Sequence, residues 1–345
     1  MECRQYTAGL PALTPPRGAV SVARTMPACA HPDRHVRLFR ARDYITGDEF
    51  EVERCGVCGA GVTDPTPAAE ALGAYYPAGY YGVPSRPRFP GVVERLQRLL
   101  ERRRARAVET IAGRPGRVLD IGCGHGFLLD AFRQRGWQVH GVELNDAAAA
   151  YARETLGIPV QVGPLESWPW PDGHFDAVVM WHVLEHWPDP HEPLRAAARL
   201  LRPGGVFMAG VPNFASPEAR TTRDKWFHLD VPRHLVHLTP RWLRDELAEL
   251  GFEARRFSYL APEFDAFSFI QSALNLFGLP HNLLYDVLRG RAAKVLEGGG
   301  ARWAQSAASV VLAAPLGVLS IPVTLALAAA RQGSSVTVYA VKHLR

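Results

Sequence analysis

A chain of 345 residues that is 47% hydrophobic and 21% charged has apolar material for a full core, and it exceeds the usual length of one domain. Its formal charge of +5 is small for that length, so charge makes no case for nucleic acid, and the arginine–aromatic interleaving of single-strand binders does not occur. The five cysteines form no evident disulfide framework.

Residues 1–28 are rich in Pro, Ala and Thr and lack the continuous apolar core of a secretory signal, which predicts a disordered tail on a cytoplasmic protein. A small cysteine-containing module is expected over 29–66. Its centre is Cys55-Gly56-Val57-Cys58-Gly59, two thiols two residues apart with glycines that permit a tight turn around a tetrahedral ion. Cys29 is the third candidate ligand, ahead of a hairpin-like stretch from Val36 to Val52, and His31, His35 or Cys3 is available as the fourth. Zinc and a knuckle that keeps only its fold are both open readings.

A linker and an amphipathic helix are expected over 67–110. Tyr75-Tyr76-Pro77-Ala78-Gly79-Tyr80-Tyr81-Gly82 either walls a substrate pocket or packs its rings on the main domain. From Val92 to Ile111, Val92, Leu96, Leu99, Leu100 and Val108 fall near helical spacing. The arginines between them, Arg102, Arg103, Arg104 and Arg106, read as the solvated face of that helix.

Val118-Leu119-Asp120-Ile121-Gly122-Cys123-Gly124-His125-Gly126 predicts a buried strand entering a glycine loop, and Phe127-Leu128-Leu129 with Ala131-Phe132 begins a helix. The third glycine comes one residue too early for a dinucleotide fingerprint, and no Gly-Lys-Ser/Thr phosphate loop is present. Asp120 at the strand end favours a ligand with an ammonium or sulfonium over a pyrophosphate. A second strand, Trp137 to Val142, delivers Glu143 about 20 residues past the first glycine, where a carboxylate can accept both ribose hydroxyls. A ribose with positive charge nearby describes S-adenosylmethionine. Cys123 is expected to pack in the loop, not to act as a nucleophile.

These residues resemble the class I S-adenosylmethionine-dependent methyltransferases. Phe175-Asp176-Ala177-Val178-Val179-Met180 is similar to their fourth strand, running into Trp181 and His182, and Leu201-Arg202-Pro203-Gly204-Gly205 to the turn before their fifth, Val206 to Val211. The resemblance covers roughly residues 110–260 and the last ten. It implies an open, doubly wound α/β fold, mainly parallel with an antiparallel last strand. It places Asp120, Gly122, Cys123, Gly124, Gly126, Glu143, Leu144, Glu166, Trp181 and His182 around the cofactor. The acid many relatives carry after the third strand is missing from Gly163-Pro164-Leu165-Glu166, which leaves Glu166 or backbone for the adenine. Some members carry a four-cysteine zinc module ahead of the catalytic domain; here Pro32 stands where a second cysteine of the first pair would be.

An oxygen or carbon nucleophile also asks for a base, and histidine titrates in the right range. His182, with Glu185 and His186, follows the fourth strand at the sheet edge where α/β folds bind ligands. A second group, Trp226 to Pro240, contains His228, His234 and His237 and closes on Thr239-Pro240, a helix cap and first turn. This run resembles the histidine loop that quinone-type O-methyltransferases and sugar C-methyltransferases place near their acceptor. His234 is the expected base, His237 the second candidate, and His182 sits near the reacting centre; the competing reading has the histidines pin the loop. No metal-ligand spacing on a helix points to metal-assisted catalysis.

The methyltransferase domain is expected over 111–260, an apolar helical insertion over 261–333, and the last strand over 334–345. Residues 307–330 are uncharged and long enough to span a bilayer, but strands at Phe252–Tyr259 and Ser335–Val341 belong to one sheet, so the insertion must leave and return on one side. Pro315 and Pro322 are each expected to break or kink a helix. Peripheral membrane association or a lipid-like substrate is favoured over a dimer interface, with Arg302 and Arg331 flanking the run. The expected function is S-adenosylmethionine-dependent methyl transfer to oxygen or carbon of a small or lipid-linked acceptor; the alternative is a non-catalytic or membrane-tethered scaffold. Acceptor identity and oligomeric state are not legible in the sequence.

Overall fold

The computed structural model describes residues 31, 34–76, 91–289 and 299–344. Three antiparallel strands come first: β1 (His35–Arg42), β2 (Glu49–Cys55) and β3 (Gly61–Asp64). A short helix α1 (Ala69–Leu72) and the long α2 (Gly91–Ala112) follow. The alternating unit runs through β4 (Arg117–Ile121), α3 (Phe127–Arg133), β5 (Gln138–Glu143), α4 (Asp146–Ala150), β6 (Val160–Val162), β7 (Phe175–Trp181), α5 (His191–Leu200) and β8 (Leu201–Pro212). Then come α6 (Pro217–Thr222), β9 (Val236–His237), α7 (Pro240–Glu249), β10 (Phe252–Ser258), α8 (Pro262–Leu276), α9 (Leu283–Leu288), α10 (Gly299–Ala329) and β11 (Ser335–Lys342).

Seven strands form one sheet in the order β10-β11-β8-β7-β4-β5-β6. The pairs from β8 to β6 are parallel, and β11 enters antiparallel between β8 and β10. Alternation along β4 and β7 sends Leu119, Ile121, Val178 and Met180 into one core and Val118, Ala177 and Val179 into the other. Both faces are covered, which is why these strands read as continuous apolar runs.

β9 from the histidine loop joins the amino-terminal strands beside β3. Three expectations are corrected. Leu201–Gly205 is not a turn before the fifth strand: β8 already begins at Leu201, and Pro203-Gly204-Gly205 is absorbed as an irregularity between the pairs Phe175↔Leu201 and Ala177↔Val206. Arg104 is not on a solvated face; it is buried against Glu101 and Glu263, with its guanidinium 3.7 Å above the Trp181 ring. Finally, α10 runs through Pro315 and Pro322 without interruption, with both rings on its exposed side, where they meet no neighbouring helix.

Candidate functional site

The loop after β4 turns on three glycines with positive φ, Gly122 (74°), Gly124 (50°) and Gly126 (76°). A Cβ at Gly122 would stand 2.5 Å from Val183, and one at Gly126 2.8 Å from Ala152, so both positions exclude side chains by contact as well as by backbone conformation. Gly124 has no atom within 4 Å of a built Cβ and opens onto a cavity. The Cys123 side chain turns away from that cavity into the core, under Gly141. Burial, with the charges of Asp120 and Glu143, pushes its thiol well up, so it stays protonated and packs.

Glu143 ends β5 at the rim, Oε2 accepting from Gly124 N at 3.0 Å and Oε1 from Asn145 N at 3.0 Å. Each oxygen keeps a lone pair for a ligand hydroxyl. Asp120 is 3% exposed, and its Oδ1 has no hydrogen-bond partner among the described residues. Burial first, then the neighbouring acids Glu101 and Glu143, drive its carboxyl well above the usual range. Asp120 and Gly126 are not among the residues that line the cavity; a cation that reached Oδ1 would supply the missing partner. A buried acid awaiting a cation and a glycine cradle with a carboxylate at its edge together fit a nucleoside that carries positive charge.

The cavity measures about 710 Å³. Gly122, Gly124, Glu143, Leu144, Asn145 and Trp168 line the half beside the glycine loop, together with Gly163 and Leu165. Trp168 was not singled out by sequence; it lines the cavity, and its Nε1 is buried with no partner among the described residues. The Glu166 side chain lies outside the described residues. Trp181 lines the cavity as expected, and a Cβ on its neighbour Gly210 would collide with its ring.

The other half is walled by Tyr44, Tyr76, His182, Phe227, Phe264 and Tyr285. The tyrosine stretch therefore does both things the sequence allowed. Tyr76 lines the cavity with its hydroxyl 3.3 Å from His186 Nδ1, while Tyr75 packs on Phe50 and donates to Asp48 at 3.0 Å; Tyr80 and Tyr81 lie outside the described residues.

His182 has φ 54°, an uncommon conformation for a residue with a Cβ and one that clusters at functional sites. Its Nδ1 is 3.1 Å from Glu185 Oε1, its ring stacks on Phe264 at 4.1 Å, and its Nε2 is buried with no partner among the described residues. Burial, then Arg104 and His186, push its pKa down to about 3. The ring is thus neutral, Nδ1–H donating to Glu185 and the Nε2 lone pair left over. His234 also lines the cavity, Nδ1 2.7 Å from His228 O, and burial lowers its pKa. His237 does not reach the cavity: it sits in β9 with Nε2 3.1 Å from Thr63 Oγ1 and packs on Phe214. Its place is between the two sheets, so it is set aside as a base.

His182, His228 and His237 are each held down to about 3 by burial. Unfolded histidine takes its proton near pH 6.5, so below that pH the unfolded chain binds more protons and gains on the fold. Stability is expected to fall as pH drops from about 6.5 towards 3; urea midpoints at about pH 7 and about pH 5 check this.

Residues 92–256 match a family model described as a methyltransferase domain, on a mainly parallel sheet whose antiparallel last strand, β11, is the one the resemblance implied. The sheet has the class I methyltransferase fold. A ubiquinone biosynthesis O-methyltransferase of Pseudomonas aeruginosa is 34% identical over 149 residues, 40% of this chain and 60% of that protein. A Mycolicibacterium smegmatis protein named "Probable S-adenosylmethionine-dependent methyltransferase" is 32% identical over 151 residues, 43% of this chain and 55% of its own. The chain spans less than two thirds of either relative. Among solved structures, the Haemonchus contortus phosphoethanolamine N-methyltransferase 2 in complex with S-adenosyl-L-methionine is similar at 17% identity and a TM-score of 0.46, over 70% of this chain and 52% of that one.

The methyltransferase domain is clamped to the amino-terminal strands by Arg233, which is fully buried. Its guanidinium meets Asp43 Oδ1 at 2.7 Å, Asp230 Oδ1 at 2.7 Å and Tyr75 O at 3.1 Å. Although buried, Asp230 is held down to about 2, because the Arg233 and histidine charges outweigh desolvation. The clamp brings Tyr44 and Tyr76 to the cavity of the methyltransferase domain.

Three sets of donors come together among the described residues, one of them the acids Glu51, Glu53 and Asp64. The potential ligand atoms of Glu185, His186 and His234 lie within 4.8 Å of one another, His186 and His234 at the cavity wall. They come from two separate loops, so no linear spacing announced them. The ligand atoms of His31, Cys55 and Cys58 lie equally close, with Val57 N donating to Cys55 Sγ at 3.3 Å across the knuckle. His35 is turned to Glu53 at 3.9 Å instead, and Cys29 and Cys3 lie outside the described residues.

Proposed function

We propose that this chain is an S-adenosylmethionine-dependent methyltransferase acting on an oxygen of a small or lipid-linked acceptor, with carbon as the second class of nucleophile. One observation carries the reading: His182, whose Nδ1 meets Glu185 and whose buried Nε2 has no partner among the described residues, lines the same cavity as the glycine loop and Glu143. The matched relative named as a ubiquinone O-methyltransferase supports oxygen as the acceptor atom.

Asp120 and the Gly122–Gly124 backbone would hold the methionine end, Glu143 the ribose hydroxyls, and Trp168 with Leu144 the adenine. The cofactor supplies an electrophilic methyl group on a good leaving sulfur, so alignment and removal of one proton are what remain for the protein. His182 Nε2 takes the acceptor hydroxyl proton and Glu185 stabilises the charge that appears on the ring, the division of labour of a His–carboxylate pair. Aromatic walls from Tyr44, Phe227, Phe264 and Tyr285 suit a flat acceptor. A histidine held at positive φ on the cavity wall and paired with a carboxylate speaks against an idle scaffold. Transfer of labelled methyl from S-adenosylmethionine to a panel of catechols and hydroquinones tests the activity; no labelled product on any member returns the scaffold reading.

A second reading is favoured by Glu185, His186 and His234: a divalent cation held there would lower the pKa of a coordinated acceptor hydroxyl. Dialysis against a chelator is expected to cut turnover and added Mg²⁺ or Zn²⁺ to restore it if that set is loaded; unchanged turnover leaves the proton to His182 alone. His31, Cys55 and Cys58 supply three of the ligands for a structural zinc, with Cys29 as the fourth. About one zinc per chain is expected by elemental analysis, lost with Cys58→Ser; a metal-free, equally stable wild type removes that assignment.

A further inference from the structure

Helix α10 is inside out. Its hydroxyl residues Ser306, Ser309, Ser320 and Thr324 face the protein at 8%, 0%, 1% and 8% exposure, while Val311 (70%), Val318 (74%), Ile321 (59%) and Leu325 (52%) point outward. The inward hydroxyls are satisfied by the helix's own carbonyls, donating to Arg302 O, Ser306 O, Gly317 O and Ser320 O at 2.7–2.8 Å. Beneath it α8 buries Ser268, Gln271, Ser272 and Asn275 together with Leu274, and leaves Leu276 and Phe277 exposed at its end. A helix folded against water has the reverse polarity to α10. A helix with a polar interior and an apolar exterior is built for a non-aqueous neighbour.

We propose that the outer face of α10 docks on an anionic lipid bilayer, lying in the plane of one leaflet. The helix is about 46 Å long and could cross a membrane by length alone. The fold prevents that, since the insertion leaves from β10 and returns to β11, adjacent strands of one sheet, and α10 packs along α8, with Gly317 against Ile270. Charge decides between lipid and a second copy. No charged residue occurs between Arg302 and Arg331, so the apolar strip has a cation at each end. Paired with itself in either direction, the helix would set arginine against arginine; anionic headgroups would satisfy both ends at once. Trp303, 65% exposed beside Arg302, suits the same interfacial level.

The docked layer stands directly behind the acceptor wall. α8 meets α10 through Ile270 and the cavity through Phe264, and α9 contributes Tyr285. An acceptor with a lipid tail would therefore reach His182 from the bilayer side, a consequence that rests on the methyltransferase reading, whereas the docking itself does not.

Flotation with phosphatidylcholine vesicles, with and without phosphatidylglycerol, tests the docking on the full chain. Binding is expected to require the anionic lipid, to weaken with salt, and to fall at least about tenfold in the Val318→Glu/Ile321→Glu variant. Both positions are exposed, and Arg331→Glu, also exposed, gives a second variant expected to weaken binding. Calorimetry with S-adenosylmethionine on the same variants should be unchanged, which separates failure of docking from failure of the cofactor site. A wild type that ignores both vesicle types overturns the proposal, as does a dimer in sedimentation velocity that Val318→Glu/Ile321→Glu dissociates.

Discussion

Replacing His182 with alanine is expected to lower kcat by about 10²- to 10⁴-fold while leaving S-adenosylmethionine affinity close to wild type. The expectation follows from three facts about one side chain: Nδ1 is engaged by Glu185, Nε2 is left unpartnered, and the backbone holds an uncommon φ to present the ring. Because the ring does not charge until about pH 3, the rate should not fall through the usual histidine range on acidification, and a profile flat from about pH 8 to the onset of acid unfolding is the signature. Glu185→Gln keeps a hydrogen-bond partner but removes the charge that stabilises the protonated ring, and should cost less than His182→Ala. His234→Ala, whose Nδ1 is committed to the His228 carbonyl, is the comparison. Single-turnover kinetics would measure all three; a greater loss for His234→Ala than for His182→Ala would transfer the base role to His234.

Arg233→Met is expected to destabilise the fold by about 3–5 kcal/mol, because it strands the buried Asp43 carboxylate at 0% exposure and removes the main charge opposing desolvation of Asp230. Arg233→Lys should recover only part, since one ammonium cannot reproduce separate contacts from Nε, Nη1 and Nη2 to two carboxylates and a carbonyl. Urea unfolding monitored by tryptophan fluorescence would read this directly. A cost below about 1 kcal/mol would mean that the amino-terminal strands dock without the clamp.

The glycine-loop half of the cavity was legible because its determinants are local. Strand, glycine loop and Glu143 lie within a short stretch, and the structure places Gly122, Gly124, Glu143, Leu144, Trp181 and His182 on one cavity, though not Asp120 or Gly126. The aromatic half was less legible because it is assembled from distant segments: Tyr44 and Tyr76, His182, Phe227, and Phe264 with Tyr285. The histidine loop announced titratable groups, but not that β9 would use His237 to join two sheets or that Arg233 would be a clamp. Arg104 was misassigned because an arginine run on a helix looks alike whether or not another helix brings Glu263 against it. In α10 the composition was plain; which side carried the hydroxyls needed the packing on α8.

The crevice between the glycine loop and Glu143 is the proposed S-adenosylmethionine site. Titration calorimetry of S-adenosylmethionine and S-adenosylhomocysteine against the wild type and Glu143→Ala tests that assignment. One site per chain is expected for both compounds, weakened at least about tenfold by the substitution as two ribose hydrogen bonds are lost. A folded wild type that binds neither compound, or a Glu143→Ala protein that binds both as tightly, would contradict it.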